Sequence, residues 1–280
     1  MTPPSTTSAV VIVTGASRGI GLAIVHALLQ HNARVIATAR TPLSTNSAET
    51  SSTTEPSSSP SLAELVKTYP DALRYVAVDV TDERAAGMIV GEAISAFGRL
   101  DALVHNAGIL DPLARIVDAP ITDWVRCFDI NLFSCVRLLQ EAIPHLRTAA
   151  SSSSLSGTSS RFILISSGAA VRPTSGWSAY SAAKSASNML VASVAVEEPL
   201  LTSIAIRPGV VDTAMQARIR SEDAKEAMGE EGRQRFVGLF ERGELLKPET
   251  PGSAVARLAL SAPRELNGLF VNWDDERLPK

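Results

Sequence analysis

A glycine-rich turn directly after the first apolar run constrains this sequence most. Residues 10–21 read VVIVTGASRGIG, and a helical pattern continues to residue 31. Phosphate binds close to backbone amides at a helix N-terminus, where side chains would block it. Gly15 is predicted to form the turn, Gly19 to allow close approach, and Gly21 to let the helix pack on the strand. A turn of this kind also occurs without a ligand, so the spacing alone leaves both interpretations open.

Short apolar runs alternate with helical patterns along the rest of the chain. Such runs, separated by helices, are typical of a parallel sheet covered on both faces, and helical crossovers make it doubly wound. We predict an α/β protein: a single doubly wound Rossmann domain over residues 1–280, with a parallel sheet of about seven strands and helices on both faces. The predicted strands are residues 10–14, 34–38, 74–80, 100–105, 161–166, 203–207 and 269–272. The predicted helices are residues 19–31, 62–68, 82–97, 122–146, 178–198 and 251–261, with a polar helical region before the last.

Two polar segments interrupt this alternation. Residues 44–61 are nearly all Ser, Thr, Pro, Asn and Glu, and residues 149–160 are rich in Ser. Neither segment can bury apolar surface, so both are predicted to be flexible surface insertions. Because the alternation resumes in phase after each, we interpret them as insertions within one domain.

Composition and charge narrow the class of partner. The formal net charge is -3 and the basic residues are scattered, so nothing suggests nucleic acid. Residues 1–9 lack the features of a secretory signal, and no apolar run approaches the length of a bilayer span. Cys127 and Cys135 lie in one predicted helix, which fits free thiols in a reducing compartment. The histidines show no metal-ligand spacing. We expect a cytoplasmic protein with a small-molecule substrate, no metal, no nucleic-acid partner and no membrane association.

A second motif runs from Tyr180 to Lys184, with sequence YSAAK. One helical turn separates its end residues, which therefore share a face. Tyr has an ordinary pKa of about 10, and a nearby ammonium favours the phenolate and lowers that pKa. Ser167 follows a predicted strand and lies thirteen residues before Tyr180. A hydroxyl there can hydrogen-bond a substrate oxygen as charge develops, and Ser166 is its competitor. Each pattern alone also fits an ordinary surface helix or turn.

Together these motifs resemble the short-chain dehydrogenase/reductase family, and further matches follow in chain order between residues 14 and 213. The resemblance implies an enzyme that passes hydride between a nicotinamide dinucleotide and a carbonyl or alcohol. Its implied catalytic residues are Ser167, Tyr180, Lys184 and Asn131. In the family the catalytic Ser lies thirteen residues before the Tyr, and this interval favours Ser167 over Ser166. Its implied cofactor contacts are Gly15, Ser17, Arg18, Gly19, Ile20, Gly21, Arg40, Asp79, Val80, Asn106, Ala107, Gly108, Tyr180, Lys184, Pro208, Gly209, Val211 and Thr213.

The resemblance also assigns roles. Tyr180 is expected to be the general acid, Lys184 to lower its pKa and hold the nicotinamide ribose, and Ser167 to orient the substrate carbonyl. Asn131 is expected to hold a water in a proton relay. Substrate contacts are expected from Ser167, Trp177, Tyr180, Met215 and Gln216.

Several segments are similar to sepiapterin reductase and to fungal reductases of benzil or dicarbonyl type. The Asp that grips the pterin in sepiapterin reductase is replaced here by Asn272. We therefore predict reduction of a ketone, dicarbonyl or aldehyde, with pterin reduction as an alternative. A regulator that senses NADP without turnover is a second alternative, although such relatives usually lose the Tyr or the Lys.

Two basic residues favour NADP(H) as cofactor. Arg18 lies in the glycine-rich turn, and Arg40 follows the second strand, where NAD-preferring relatives usually place an acid. Two guanidiniums suit a 2′-phosphate, although both are also compatible with an ordinary surface. The family further implies a homodimer whose long helices pack against their symmetry mates. Small residues that would permit close approach there are Ala182, Ala183 and Ala186, although they could equally pack on the protein's own sheet.

Overall fold

The computed structural model describes residues 8–43, 60–152 and 160–280. In these residues seven strands form one sheet in the order β3-β2-β1-β4-β5-β6-β7, and every neighbouring pair is parallel. The strands are β1 (Val10–Thr14), β2 (Arg34–Ala39), β3 (Leu73–Ala77), β4 (Ala102–His105), β5 (Ser160–Ile165), β6 (Leu201–Arg207) and β7 (Phe270–Asn272). The predicted Rossmann-type α/β fold is confirmed.

The helices follow in the expected alternation with the strands. They are α1 (Gly19–Gln30), α2 (Leu62–Thr68), α3 (Ala85–Phe97), α4 (Ile121–Phe128), α5 (Ser134–Ser151), α6 (Ser178–Glu197), α7 (Ala214–Arg220), α8 (Ala224–Glu241) and α9 (Glu249–Ser261). The predicted polar helical region corresponds to α7 and α8. Among the described residues, no helix is both long and apolar enough to cross a membrane.

Alternate residues of the strands face opposite helical layers, as the pleat of a strand requires. Val11 and Val13 of β1 belong to the core formed with α1, α2 and α9. Val10 and Ile12 belong to the core formed with α3, α5 and α6. All four side chains are fully buried. Burial on both faces explains why the strands are apolar throughout instead of alternating with polar residues.

Both Ser-rich insertions are shorter than predicted. The first ends before Ser61, whose hydroxyl accepts a hydrogen bond from the Glu64 amide while the Glu64 carboxylate accepts one from the Ser61 amide. This capping box starts α2. The second begins after α5, which continues to Ser151 because Ala149 is still buried, and β5 starts at Ser160. The rest of both segments, 44–59 and 153–159, lies outside the described residues, and their flexibility stays a prediction.

A third buried cluster lies outside the two cores that cover the sheet. It joins Trp177 and Tyr180, at the start of α6, to Ile219 of α7 and Phe236 of α8. The two polar helices therefore bury one apolar face each against the beginning of α6. They form a cap over the residues that the sequence marks as catalytic.

Candidate active site

The sheet has a topological switch point between β1 and β4. From β1 the strand order continues through β2 to β3, and from β4 it continues through β5 to β7. Ligands of doubly wound sheets bind in the crevice at the carboxyl ends of the strands beside such a point. The glycine-rich turn follows β1 and Asn106 follows β4, so both sequence motifs meet at this crevice.

The geometry of the glycine-rich turn fits an anion. Gly15 and Gly19 have positive φ angles of 64° and 56°, which favour glycine. A Cβ atom at Gly21 would lie 2.2 Å from the carbonyl oxygen of Gly15, so a larger residue cannot be accommodated there. No side chain caps the first turn of α1. Its N-terminal amides and helix dipole are therefore available to a phosphate.

The segment after β4 holds this turn in place through hydrogen bonds. The Asn106 Nδ2 donates to the carbonyl oxygens of Thr14 and Gly15 at 2.9 and 3.0 Å. The Thr14 hydroxyl accepts from the amides of Asn106 and Ala107, both at 3.0 Å. Asn106 and Ala107 thus hold the turn rigidly in place. Thr14 was not among the predicted contacts, although its position directly before the first glycine was a usable signal.

Two more predicted segments reach the same edge of the sheet. Thr213 caps α7 through its hydroxyl, which accepts from the Gln216 amide at 3.4 Å. A Cβ at Gly19 would lie 3.3 Å from the Thr213 methyl group, so the start of α7 borders the glycine-rich turn. Asp79 follows β3 instead of ending it, because β3 stops at Ala77. Its carboxylate accepts from the amide and hydroxyl of Thr81 at 3.0 and 2.8 Å, which fixes this turn.

Ser167 and Ser166 differ in what their hydroxyls contact. The Ser166 hydroxyl is buried and donates to Asn188 Oδ1 at 2.6 Å. The Ser167 hydroxyl accepts from the Ala169 amide at 3.1 Å and lies close enough to the Tyr180 hydroxyl to lower its pKa. Ser167 is therefore the serine that lies beside the tyrosine, and its catalytic role stays a prediction.

Lys184 is buried directly behind Tyr180. Its ammonium donates to the carbonyl oxygen of Ile165 at 2.9 Å and lies 5.8 Å from the centre of the Tyr180 ring. Burial lowers the pKa of Lys184 to about 8. The carbonyl of Ile165 holds the ammonium in place, a contact that leaves no trace in the sequence because it uses only the backbone.

The structure places the pKa of Tyr180 above its ordinary value, and the part of Lys184 in lowering that pKa stays a prediction. Burial raises the pKa of Tyr180 to about 12, and the hydrogen bond with Ser167 opposes the shift without cancelling it. Burial removes water from the phenolate and so disfavours the charged form. The raised pKa therefore favours the protonated, neutral form of Tyr180.

Asn131 lies in a five-residue π-helical segment, Asp129–Phe133, that joins α4 to α5. Such insertions are frequent at functional sites. Its Nδ2 donates to the carbonyl oxygens of Ile109 and Cys127, both at 2.9 Å, and its backbone carbonyl accepts from Ser187 at 3.2 Å. These bonds tie the helical run to the segment after β4 and to α6.

Gly108 lies between two of the predicted catalytic side chains. A Cβ at Gly108 would lie 2.7 Å from Asn131 Oδ1 and 3.4 Å from Lys184 Nζ. The structure thus brings Asn131 and Lys184 together around Gly108. Within the described residues no group of three or more His, Cys, Asp or Glu side chains is placed to hold a metal.

The predicted substrate contacts other than Ser167 and Tyr180 lie in or against the cap formed by α7 and α8. Trp177 stacks on Phe236 with ring centres 5.5 Å apart and meets Tyr180 edge-on at 6.2 Å. Met215 packs against the same cluster. Gln216 is buried on α7, and neither polar atom of its side chain has a hydrogen-bond partner among the described residues. Phe236 was not predicted, because nothing in the sequence shows that a residue so distant along the chain stacks on Trp177.

The comparison with protein families decides which family the chain belongs to. The family model described as short chain dehydrogenase matches residues 9–224. The chain belongs to the short-chain dehydrogenase family. It is therefore an oxidoreductase acting on carbonyl or alcohol groups, and the family uses nicotinamide cofactors. The glycine-rich turn and the uncapped start of α1 fit the phosphates of such a cofactor.

Individual relatives cover almost the whole chain. An uncharacterized oxidoreductase of Schizosaccharomyces pombe is 41% identical over 96% of this chain and 97% of its own. A benzil reductase ((S)-benzoin forming) of Saccharomyces cerevisiae is 35% identical, with coverage of 96% and 97%. The crystal structure of the enzyme KRED1-Pglu is 37% identical, with a TM-score of 0.81 and coverage of 94% and 100%. The similarity to benzil-type reductases is confirmed, and the similarity to sepiapterin reductase stays a prediction.

Proposed function

We propose that this short-chain dehydrogenase is an NADPH-dependent reductase that converts a ketone, dicarbonyl or aldehyde to an alcohol. The observation that carries the proposal is the placement of Tyr180 at the crevice beside the switch point, with Ser167 next to its hydroxyl and the Lys184 ammonium 5.8 Å from its ring centre. A carbonyl oxygen placed against both hydroxyls receives a hydrogen bond from one and a proton from the other. The similarity to a benzil reductase supports a carbonyl substrate.

In this mechanism the bound cofactor supplies the hydride, and the chain supplies position and the proton. Ser167 orients the carbonyl, and the Tyr180 hydroxyl donates its proton to the carbonyl oxygen. The Lys184 ammonium stabilises the tyrosinate that this step leaves and binds the nicotinamide ribose. We propose that a water held between Lys184 and Asn131, which meet around Gly108, returns a proton to Tyr180.

A turnover assay tests this function. The purified protein is incubated with NADPH and benzil, monoketones, aldehydes or sepiapterin, and NADPH consumption and the alcohol are measured. We expect turnover of benzil or a simpler carbonyl. Turnover of sepiapterin alone would favour the pterin alternative, which the amide of Asn272 does not support. Cofactor binding without turnover of any carbonyl would favour the sensing alternative.

The cofactor preference rests on Arg18 and Arg40. Both side chains are exposed, and neither has an ion-pair partner among the described residues. The Ala16 amide donates to the carbonyl oxygen of Thr38 at 3.0 Å, so the glycine-rich turn crosses the end of β2. The two arginines therefore stand at the same edge of the sheet, where a 2′-phosphate on the adenine ribose would lie. Their charges and bidentate geometry support NADPH over NADH.

Replacing Arg40 by Ala is expected to reduce the preference for NADPH. We expect kcat/KM for NADPH to fall by about tenfold or more, since a charge-assisted hydrogen bond is lost, while kcat/KM for NADH changes little. Arg34→Ala is the matched control, because Arg34 starts the same strand at its opposite end. Wild-type protein that uses NADH as efficiently as NADPH would contradict the assignment.

A homodimer is proposed from exposed apolar side chains on the long helices. Val125 on α4 and Met189 and Val196 on α6 are exposed, and Phe133 is exposed beside them in the chain segment that joins α4 to α5. Of the small residues named from the sequence, Ala183 is fully buried in its own chain, which is the alternative role that the sequence left open for it. Ala182 and Ala186 are half-buried and remain available.

Light scattering is expected to give twice the 29.6 kDa mass of one chain at micromolar concentration. Introducing charge through Met189→Lys and Val196→Glu is expected to shift the protein toward monomer, because desolvating an unpaired charge is costly. Met88→Lys, at an exposed position on α3, is the control and should leave the mass unchanged. A monomer mass for the wild type would refute the proposal.

We also propose that residues 1–280 form one domain with insertions at 44–60 and 152–159, the bounds left by α2, α5 and β5, and that the protein is cytoplasmic. Cys127 and Cys135 support the location, because both are buried free thiols.

A further inference from the structure

The buried side chain of Gln216 lacks the hydrogen bonds that buried polar groups usually make. It is 3% exposed, yet neither its Oε1 nor its Nε2 has a hydrogen-bond partner among the described residues. Buried amides without partners lower stability, and folded proteins contain few of them. A group of this kind that lies at a ligand site indicates a partner that the ligand provides.

Gln216 lies on the face of α7 that is turned toward the candidate active site. Residues three apart on a helix share a face, so Gln216 lies between Thr213 and Ile219. Thr213 borders Gly19 of the glycine-rich turn, and Ile219 packs in the cluster that contains Tyr180 and Trp177. Along α7, Gln216 therefore lies between a residue at the glycine-rich turn and a residue of the cluster that contains Tyr180.

Trp177 provides a second unpaired donor in the same cluster. Its Nε1 is buried without a hydrogen-bond partner among the described residues, and its ring meets Tyr180 edge-on. An indole N–H can only donate, so the ligand atom that pairs with it must be an acceptor. Stacked on Phe236, the indole also offers an aromatic surface beside this donor.

We propose that Gln216, with the indole N–H of Trp177, binds a second oxygen of the substrate next to the reacting carbonyl, and so selects 1,2-dicarbonyl compounds over monoketones. This rests on the proposed reductase function and deepens it. Ser167 and Tyr180 meet the oxygen that is reduced, whereas Nε2 of Gln216 and Nε1 of Trp177 meet the oxygen that is not. A substrate that lacks the second oxygen leaves both buried donors unpaired, which is a strong basis for discrimination.

Benzil and deoxybenzoin form a matched pair for the test, because deoxybenzoin has a methylene where benzil has its second carbonyl. In Gln216→Met, a change of similar volume, kcat/KM for benzil is expected to fall by about tenfold or more through a higher KM. The value for deoxybenzoin is expected to stay within about twofold, since it never used the amide. For each ketone, kcat/KM of the variant is divided by kcat/KM of the wild type, so the greater intrinsic reactivity of the diketone cancels. Gln234→Met, at an exposed glutamine on α8 that pairs with Glu230, is the control.

Thermal unfolding separates this role from a structural one. Gln216→Met removes two unpaired buried atoms, so its Tm is expected to equal or exceed that of the wild type. A lower Tm together with equal losses on both ketones would overturn the inference.

Calorimetry of benzil binding to the enzyme loaded with NADP⁺ gives the same comparison without turnover. Equal affinity of the wild type and Gln216→Met for benzil overturns the inference, whether or not reduction is seen. Weaker binding by the variant, with no reduction of either ketone by the wild type, supports the inference and overturns the reductase function alone.

Discussion

Replacing Tyr180 by Phe is expected to lower kcat by roughly 10²–10⁴-fold, the usual contribution of a general acid. Phe retains the ring that packs against Trp177 and removes only the hydroxyl that hydrogen-bonds Ser167. The affinity for NADPH should change little, because the glycine-rich turn and the N-terminus of α1 are untouched. Single-turnover reduction and a fluorescence titration with NADPH measure the two quantities separately.

Tyr69→Phe is the matched control for this substitution, because it deletes a tyrosine hydroxyl at the end of α2, outside the crevice. It should retain the wild-type rate. If Tyr180→Phe kept more than about a tenth of the wild-type rate, the proton would have to come from another group, since general acids contribute far more than that.

Replacing Gly21 by Ala is expected to disrupt the cofactor crevice. The added Cβ would lie 2.2 Å from the Gly15 carbonyl oxygen and 2.6 Å from Asn106 Nδ2, and the first of these is backbone that cannot rotate away. Overpacking of this kind costs about 1–3 kcal/mol in the free energy of unfolding. Displacing the turn also misplaces the phosphate contacts, so kcat/KM for NADPH should fall on the order of 10²-fold.

Gly91→Ala is the control for both effects. Gly91 lies in α3, and a Cβ there would meet nothing within 4 Å. The same substitution should therefore raise the free energy of unfolding by about 0.5–1 kcal/mol, as expected for Gly to Ala inside a helix. Urea unfolding and cofactor kinetics on the two variants give the comparison. Equal behaviour of the two variants would show that the turn tolerates a side chain at Gly21.

Much of this crevice was predictable because its parts are short segments with fixed spacing. The glycine-rich turn needs residues without a Cβ at set positions, and the Tyr180–Lys184 interval is one helical turn, so both leave a pattern in the sequence. Their meeting at one edge of the sheet follows from the parallel topology. The preference for Ser167 over Ser166 also comes from spacing, and the structure adds that the Ser166 hydroxyl donates to Asn188.

Other features could not be predicted, because they depend on burial or on backbone atoms. The pKa of Tyr180 rises instead of falling, since the direction is set by how completely the cap removes solvent. The position of Lys184 is fixed by the backbone carbonyl of Ile165, and any residue type carries such a carbonyl. The π-helical segment around Asn131 leaves the amphipathic pattern almost unchanged, so it was interpreted as ordinary helix.

The position of Trp177 gives this protein an optical reporter at its proposed substrate site. The chain has three tryptophans, and Trp177 alone among them is both buried and in ring contact with Tyr180. Indole emission depends on the polarity and hydrogen bonding around the ring, and reduced nicotinamide absorbs in the range where indole emits. Loading of the cofactor and arrival of a carbonyl compound should therefore each change the intrinsic fluorescence. With Trp124 and Trp273 replaced by Phe, the remaining signal would follow both events in real time without an added dye.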